Sequence, residues 1–336
     1  MKKQFLLGLM AVVAMASCVQ EQTVNAPELK AIDFSNFVQH TKVADPSFNN
    51  NDNKIQAFYV WGFMTAPTGV VFNKELVSYD ATAAAWTYTN VAYWSVNKSY
   101  KFAALAPVNN DKIKVTLATD NKYMSADGVL GSIEFENVDG TVDLVYAEDG
   151  VDTPATIPTE PEKVQLTFQH LLSKIKFTFT NGLPSENNTV VIKNVKLVVP
   201  AKGNTDLAVK PYVWDAEVAA NSATTTLEFG NVVDANGEAH LSTAGVGVIE
   251  NERLTIPFAT AYSQLVHEVS FDVTIYNGDQ EGDTIHKTAT LVADFKAGKN
   301  YNITATLSAE NLGLKPIDFT VVVEEWVEGG NFGILN

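Results

Sequence analysis

Residues 164–180 read VQLTFQHLLSKIKFTFT, a stretch in which apolar and polar residues largely take turns. Valine, isoleucine, phenylalanine and threonine suit a pleated, half-buried surface, and a period of two is the pattern of a strand with one face in a core. The pattern recurs on both sides. Before it come Ala31–Gln39, Ile55–Phe63, Val70–Tyr79, Trp86–Trp94, Tyr100–Ala106, Ile113–Ala118 and Gly131–Ala147. After it come Val190–Val199, Thr224–Phe229, Leu254–Phe258, Glu268–Tyr276, Ile285–Phe295, Tyr301–Leu307 and Ile317–Trp326. Gly, Asn, Asp or Pro bounds these runs, and no long helical period interrupts them. The stretch 148–162 is acidic, carries prolines and has little periodicity. The expected fold is all-β: two tandem β-sandwiches over 18–150 and 163–336, joined by a linker at 151–162.

Composition agrees with a folded chain. The 336 residues are 46% apolar and 18% charged, which gives ample side chains for one or two cores and rules out disorder. A formal charge of −16 argues against a nucleic-acid partner, which calls for a basic footprint, and against electrostatic docking on anionic lipid. Arg253 is the sole arginine, so bidentate capture of phosphate or carboxylate is not expected.

The first residues read as an export signal. Lys2 and Lys3 precede Phe5–Ala16, twelve residues that are apolar or glycine. A membrane-crossing helix needs about 20 residues, so this run has the length of a signal-peptide core, with residues 1–17 removed. Small residues Ala16 and Ser17 lead to Cys18, the only cysteine. The arrangement resembles a bacterial lipoprotein cleavage site, with Cys18 lipidated; plain secretion is the other reading. No thiol pair is available for a disulfide, so the cores must stand on packing.

Motifs of catalysis fail on inspection. His267-Glu268 opens like a zinc-protease helix, but Phe271 stands where the second histidine is needed, on a segment that reads as a strand. Histidines 40, 170, 240, 267 and 286 never fall at i, i+2 or i, i+4 spacing, so no local metal site is expected. Gly245-Val246-Gly247 lacks the third glycine of a dinucleotide fingerprint, and no G-x-S-x-G elbow is present. Asp279, Glu281 and Asp283 alternate near Asn277-Gly278, which reads as a solvated hairpin tip rather than a calcium loop. No catalytic residue, cofactor or metal is assigned, and the chain is expected not to be an enzyme. His170, between Phe168 and Leu172, reads as a hydrogen-bonded core histidine rather than a ligand.

Several stretches, in order, resemble the fimbrillin (type V pilin) family of Bacteroidetes surface lipoproteins. Thr41-Lys42 before an Asn-rich loop and Ile55–Phe63 resembles the family's basic residue, spacer and first core strand. Ala92-Tyr93-Trp94 and Tyr100–Pro107 (YKFAALAP) resemble its tryptophan strand and aromatic strand. Asp143–Ala147 (DLVYA) resembles its Asp-Leu-x-x-Ala, and Phe168–Lys174 (FQHLLSK) its Phe-x-His-x-Leu-Ser-Lys. Ala297–Tyr301 and Trp326 with Gly329 resemble its closing turn and strand.

The resemblance implies transthyretin-like sandwiches and a structural subunit of a fimbria at the cell surface, lipid-anchored in the outer membrane and acting in cell adhesion. It implies proteolytic trimming after a basic residue, here Lys42, and loss of a first strand carrying Ile32, Phe34 and Val38. Another subunit's strand would then fill the vacated groove by donor-strand exchange. Lys42 also reads as a solvated loop lysine. Ile317, Phe319, Val321 and Val323 form an alternating face that is either a donor strand or, the favoured reading, the closing strand of the second sandwich. The partners implied are other fimbrial subunits, with a host protein or glycan also open, and the membrane only through the lipid. A tip or anchor adhesin on the same scaffold and a surface glycan-processing lipoprotein are the alternatives.

Overall fold

The computed structural model describes residues 29–38, 48–49, 54–65, 69–118, 130–216, 224–257, 267–313 and 315–325. Strands dominate. A seven-stranded sheet has the spatial order β1 (Phe34–Val38), β11 (Val164–His170), β10 (Val145–Asp152), β7 (Ser99–Ala106), β4 (Ala57–Thr65), β5 (Gly69–Asp80) and β6 (Ala85–Thr87). A second sheet runs β17 (Val232–Val233), β18 (Val246–Ile249), β12 (Ser173–Asn181), β22 (Lys299–Leu307) and β23 (Thr320–Glu325), with β19 (Arg253–Thr255) also paired to β12. A third joins β16 (Thr224–Gly230), β13 (Asn188–Pro200), β20 (His267–Asn277) and β21 (Gln280–Leu291). The fourth is β15 (Trp214–Ala216), β14 (Lys202–Asp206), β9 (Gly131–Glu136) and β8 (Ile113–Leu117), and β2 (Phe48–Asn49) pairs with β3 (Lys54–Ile55). One turn of helix, α1 (Ala309–Leu312), is capped by Ser308, whose hydroxyl accepts from the Asn311 amide while the Asn311 side chain accepts from the Ser308 amide. No helix among the described residues is long and apolar enough to cross a membrane.

Alternation in sequence becomes alternation in burial. Along β11, Val164, Leu166 and Phe168 are buried while Gln165, Thr167 and Gln169 face water. The central strands of the seven-stranded sheet carry a core on each face. On β7, Tyr100, Phe102, Ala104 and Ala106 belong to one core, and Ala103 and Leu105 to the other. The first core is the aromatic one, with Phe34, Phe58, Phe72, Trp94 and Phe168. The second continues through Ile133, Phe135 and Trp214 into Phe177, Phe179, Phe271 and Ile303, so it spans residues from both halves of the chain.

The expected linker is not where the pairing divides. Strand β10 pairs with β7 from Val145 to Asp152, so residues 148–152 are ladder rather than tether. Strand β11 pairs back to β10 and remains in the seven-stranded sheet. The chain leaves that sheet at Leu171-Leu172, both fully buried, and β12 begins at Ser173 in the middle of the second sheet. What reads as one strand over 164–180 is therefore two. Two adjacent leucines cannot share a face of one strand, and the change of sheet lets both be buried. Pairing also returns across the division, because β14 pairs with β9. The runs 131–147 and 86–94 are likewise interrupted, the first by a turn in which Gly140 has φ +72 and its carbonyl accepts from the Leu254 amide.

His267, on β20, has no exposed surface; its Nδ1 faces the Val198 carbonyl at 3.3 Å and its ring packs on Phe295. Burial pushes its pKa down to about 4, with the bond to Val198 opposing the shift. A depressed histidine makes the unfolded chain bind the extra proton first. Its share of stability is therefore full above about pH 6.5 and is lost as pH falls toward about 4, a change of about 3 kcal/mol. Melting curves across that window should show His267→Phe losing less stability than the parent; parallel curves would contradict the assignment.

Candidate functional site

The first described strand sits where two edges of the aromatic core meet. Residues 30–32 run antiparallel to 92–94, with Ile32 N–H donating to the Ala92 carbonyl and Trp94 N–H to the Lys30 carbonyl, both at 2.9 Å. A few residues on, β1 turns to β11 and runs parallel with it, from Phe34 opposite Val164 to Val38 opposite Phe168. The Val164 amide donates to the Asp33 carbonyl at 2.9 Å, and the Asp33 carboxylate pairs with Lys163 at 3.2 Å. One short segment thus bridges two separate stretches of backbone.

Side chains fix its depth. Ile32 is 0% and Phe34 1% exposed. Around the Phe34 ring stand Phe58 at 5.9 Å, Phe72 at 5.7 Å, Tyr88 at 5.7 Å and Phe102 at 6.2 Å, three of the four edge-on. Such contacts add to the area term because ring edges are positive and ring faces negative. The Tyr88 hydroxyl donates to the Ile32 carbonyl, and burial pushes its pKa up to about 12, so it stays a neutral donor. The segment therefore fills a slot: an apolar floor flanked by the backbone of β11 and of 92–94, with both of which it pairs.

Of the residues singled out in the sequence, Ile32 and Phe34 come together in this slot. Val38 lies in β1 opposite Phe168. Cys18 and Lys42 lie outside the described residues, as do His40 and Trp326. At the far end of the chain, Ile317 is buried, and Phe319 packs its ring on Phe177 at 6.2 Å. Val321, half-buried, pairs with Ile303; Val323 pairs with Tyr301 but is 57% exposed. Strand β23 is therefore the edge of the second sheet, paired within its own chain. Asp279 lies in the two-residue turn of the β20–β21 hairpin, and Glu281 just beyond it, opposite Tyr276. Among the described residues no group of three His, Cys, Asp or Glu is placed to hold a metal.

Residues 168–174 build the joint between sheets. The buried His170 Nδ1 lies 2.8 Å from the buried Asp143 Oδ1, a core hydrogen bond as its setting in the sequence suggested. Ser173 donates to the Lys296 carbonyl, the Gly298 amide donates to the Leu172 carbonyl, and Trp214 Nε1 donates to the Leu171 carbonyl. Lys174 is 1% exposed and meets Glu252 at 3.4 Å. Tyr88, Trp86 and the 92–94 ladder also belong to the slot, and the density of aromatic residues between 86 and 102 is the signal for them in the sequence.

The architecture is all-β, with an edge segment held between two stretches of backbone and a buried polar joint between sheets. By its sequence the chain belongs to the fimbrillin-like family, whose profile matches residues 41–326. No curated protein matches it significantly. Among solved structures, it is similar to a candidate cell adhesion protein from Bacteroides ovatus, with 14% identity and a TM-score of 0.52, covering 90% of this chain and 100% of that one. It is also similar to a fimbrial assembly protein from Parabacteroides distasonis, with 13% identity and a TM-score of 0.41, covering 89% and 97%.

Proposed function

We propose that the protein is a structural subunit of a surface fimbria that polymerises by strand exchange after its N-terminal segment is removed. The observation that carries this is the 30–38 segment, which supplies Ile32 and Phe34 to a core it borders on both sides. A strand from another subunit could replace it with the same main-chain bonds and with alternate side chains in the same pockets. Membership of the fimbrillin-like family supports a fimbrial or adhesive role at the cell surface. In this reading Cys18 carries the lipid that holds the precursor at the outer membrane, and cleavage follows Lys42. The protein acts as a scaffold rather than a catalyst.

While residues 30–38 are covalently attached, they compete for the slot at very high effective concentration. Full-length protein should therefore remain monomeric. Trimming after Lys42 should release the segment and give ladders on gels and rising light scattering. The in-chain pairing of β23 favours its role as a closing strand, so deletion of 317–336 should impair folding rather than elongation alone. A trimmed protein that stays monomeric at high concentration would point to a tip or anchor subunit instead.

A further inference from the structure

Beside the first segment lies a cavity of about 560 Å³, framed by residues 30–33, by 85–88 with Val91 and Trp94, and by 159–163. Its lining is of two kinds. Trp86 and Tyr88 are half-buried, so each leaves part of a ring open, and Trp94 lies deeper, 6% exposed, with an indole N–H that has no acceptor among the described residues. Polar groups surround the rings: Thr87, Thr159, Glu160 and Glu162 are exposed, and Asp33 and Lys163 face each other at 3.2 Å, each about half exposed.

We propose that this cavity binds a sugar ring of a glycan, and only while the 30–33 segment is in place. A pyranose has an apolar C–H face and a rim of hydroxyls that both donate and accept. Aromatic planes match the first, and paired carboxylate and ammonium groups match the second. A purely apolar ligand would strand the charged rim, and the rim's three carboxylates (Asp33, Glu160, Glu162) set against two ammonium groups (Lys30, Lys163) suit a neutral polyol better than an anion. The volume is that of an ordinary small-ligand site.

The wall made by 30–33 gives the site its second property. Losing that segment removes one side of the cavity, including Asp33 and the ladder that positions 92–94. A ligand that binds only the intact form must oppose release of the segment. At a ligand concentration 100 times its Kd, the release equilibrium falls about 100-fold. This second half rests on the proposed function above; sugar binding by the intact chain does not.

The test uses full-length protein on a glycan array, with saturation-transfer NMR and tryptophan fluorescence against the methyl pyranosides of glucose, galactose, mannose and N-acetylglucosamine. Binding by at least one probe is expected, weakened tenfold or more in Trp86→Ala and in Lys163→Ala variants whose melting temperatures show them folded. Trimming after Lys42 should abolish binding, and the bound sugar should slow loss of the segment. Silence on the array with no transfer from any probe would overturn the site, as would folded variants that bind like the parent. Trimmed protein that still binds would overturn the dependence on the segment. Trimmed protein that neither binds nor polymerises would uphold the site and count against strand exchange.

Discussion

Phe34→Ala is expected to cost about 3–5 kcal/mol of unfolding free energy, the range for emptying a large aromatic site in a packed core. The ring is 1% exposed and has four aromatic neighbours within 6.2 Å, on three strands and a loop that hold one another in place. Little can collapse into the space. The neighbouring Ser35 gives the control: its hydroxyl makes one long bond, 3.4 Å to the Val164 carbonyl, so Ser35→Ala should change stability by less than about 1 kcal/mol. Urea titrations of both variants supply the numbers. Limited proteolysis adds a local readout, since in Phe34→Ala the first segment should be cut away well before the remaining sheets open. A loss below about 1 kcal/mol for Phe34→Ala would mean that the segment rests on the core without being held by it.

Asp143→Ala is expected to be as damaging, for an electrostatic reason. Neither Asp143 nor His170 has a side chain more than 1% exposed, and their 2.8 Å contact joins the last residue of β11 to the residue before Leu144, whose carbonyl accepts from the Leu171 amide. Removing one member of a buried hydrogen-bonded pair leaves the other without its partner in an apolar setting, at about 1–3 kcal/mol, and the emptied side-chain volume adds to that loss. Asp143→Asn keeps an acceptor of the same shape and should cost less, about 1–2 kcal/mol. Thermal melts of the two variants, together with the near-ultraviolet signal of Trp214, whose indole binds the Leu171 carbonyl, would report the joint directly. Equal losses for alanine and asparagine would indicate that only packing is at stake.

Much of the β architecture was legible because each strand's burial follows its own alternation. Strand β11 is the plainest case, and the hairpin of β20 and β21 turns where Asn277-Gly278 suggested, with Gly278 at φ +59. His267-Glu268 lies on a strand, as the failed zinc motif required. Changes of sheet were not legible. Leu171 and Leu172 look like more strand, and only the presence of two cores explains why the chain departs there. No local pattern marks Lys174 as buried, yet tertiary packing encloses it and Glu252 meets it. The candidate site was half visible: the parity of Ile32 and Phe34 marked a strand with a buried face. Its closure against 92–94 depends on contacts about 60 residues apart, which no local pattern records.

The two-residue passage at Leu171-Leu172 has a mechanical consequence. Two residues reach at most about 7 Å, so there is no extensible tether between the seven-stranded sheet and the one that begins at Ser173. Tension entering one sheet passes to the next without slack, and the buried leucines, with the β10–β11 and β12–β22 ladders on either side of them, must yield before the two can part. A subunit joined in this way would lengthen under load by rupture of packed structure, not by uncoiling of a spring.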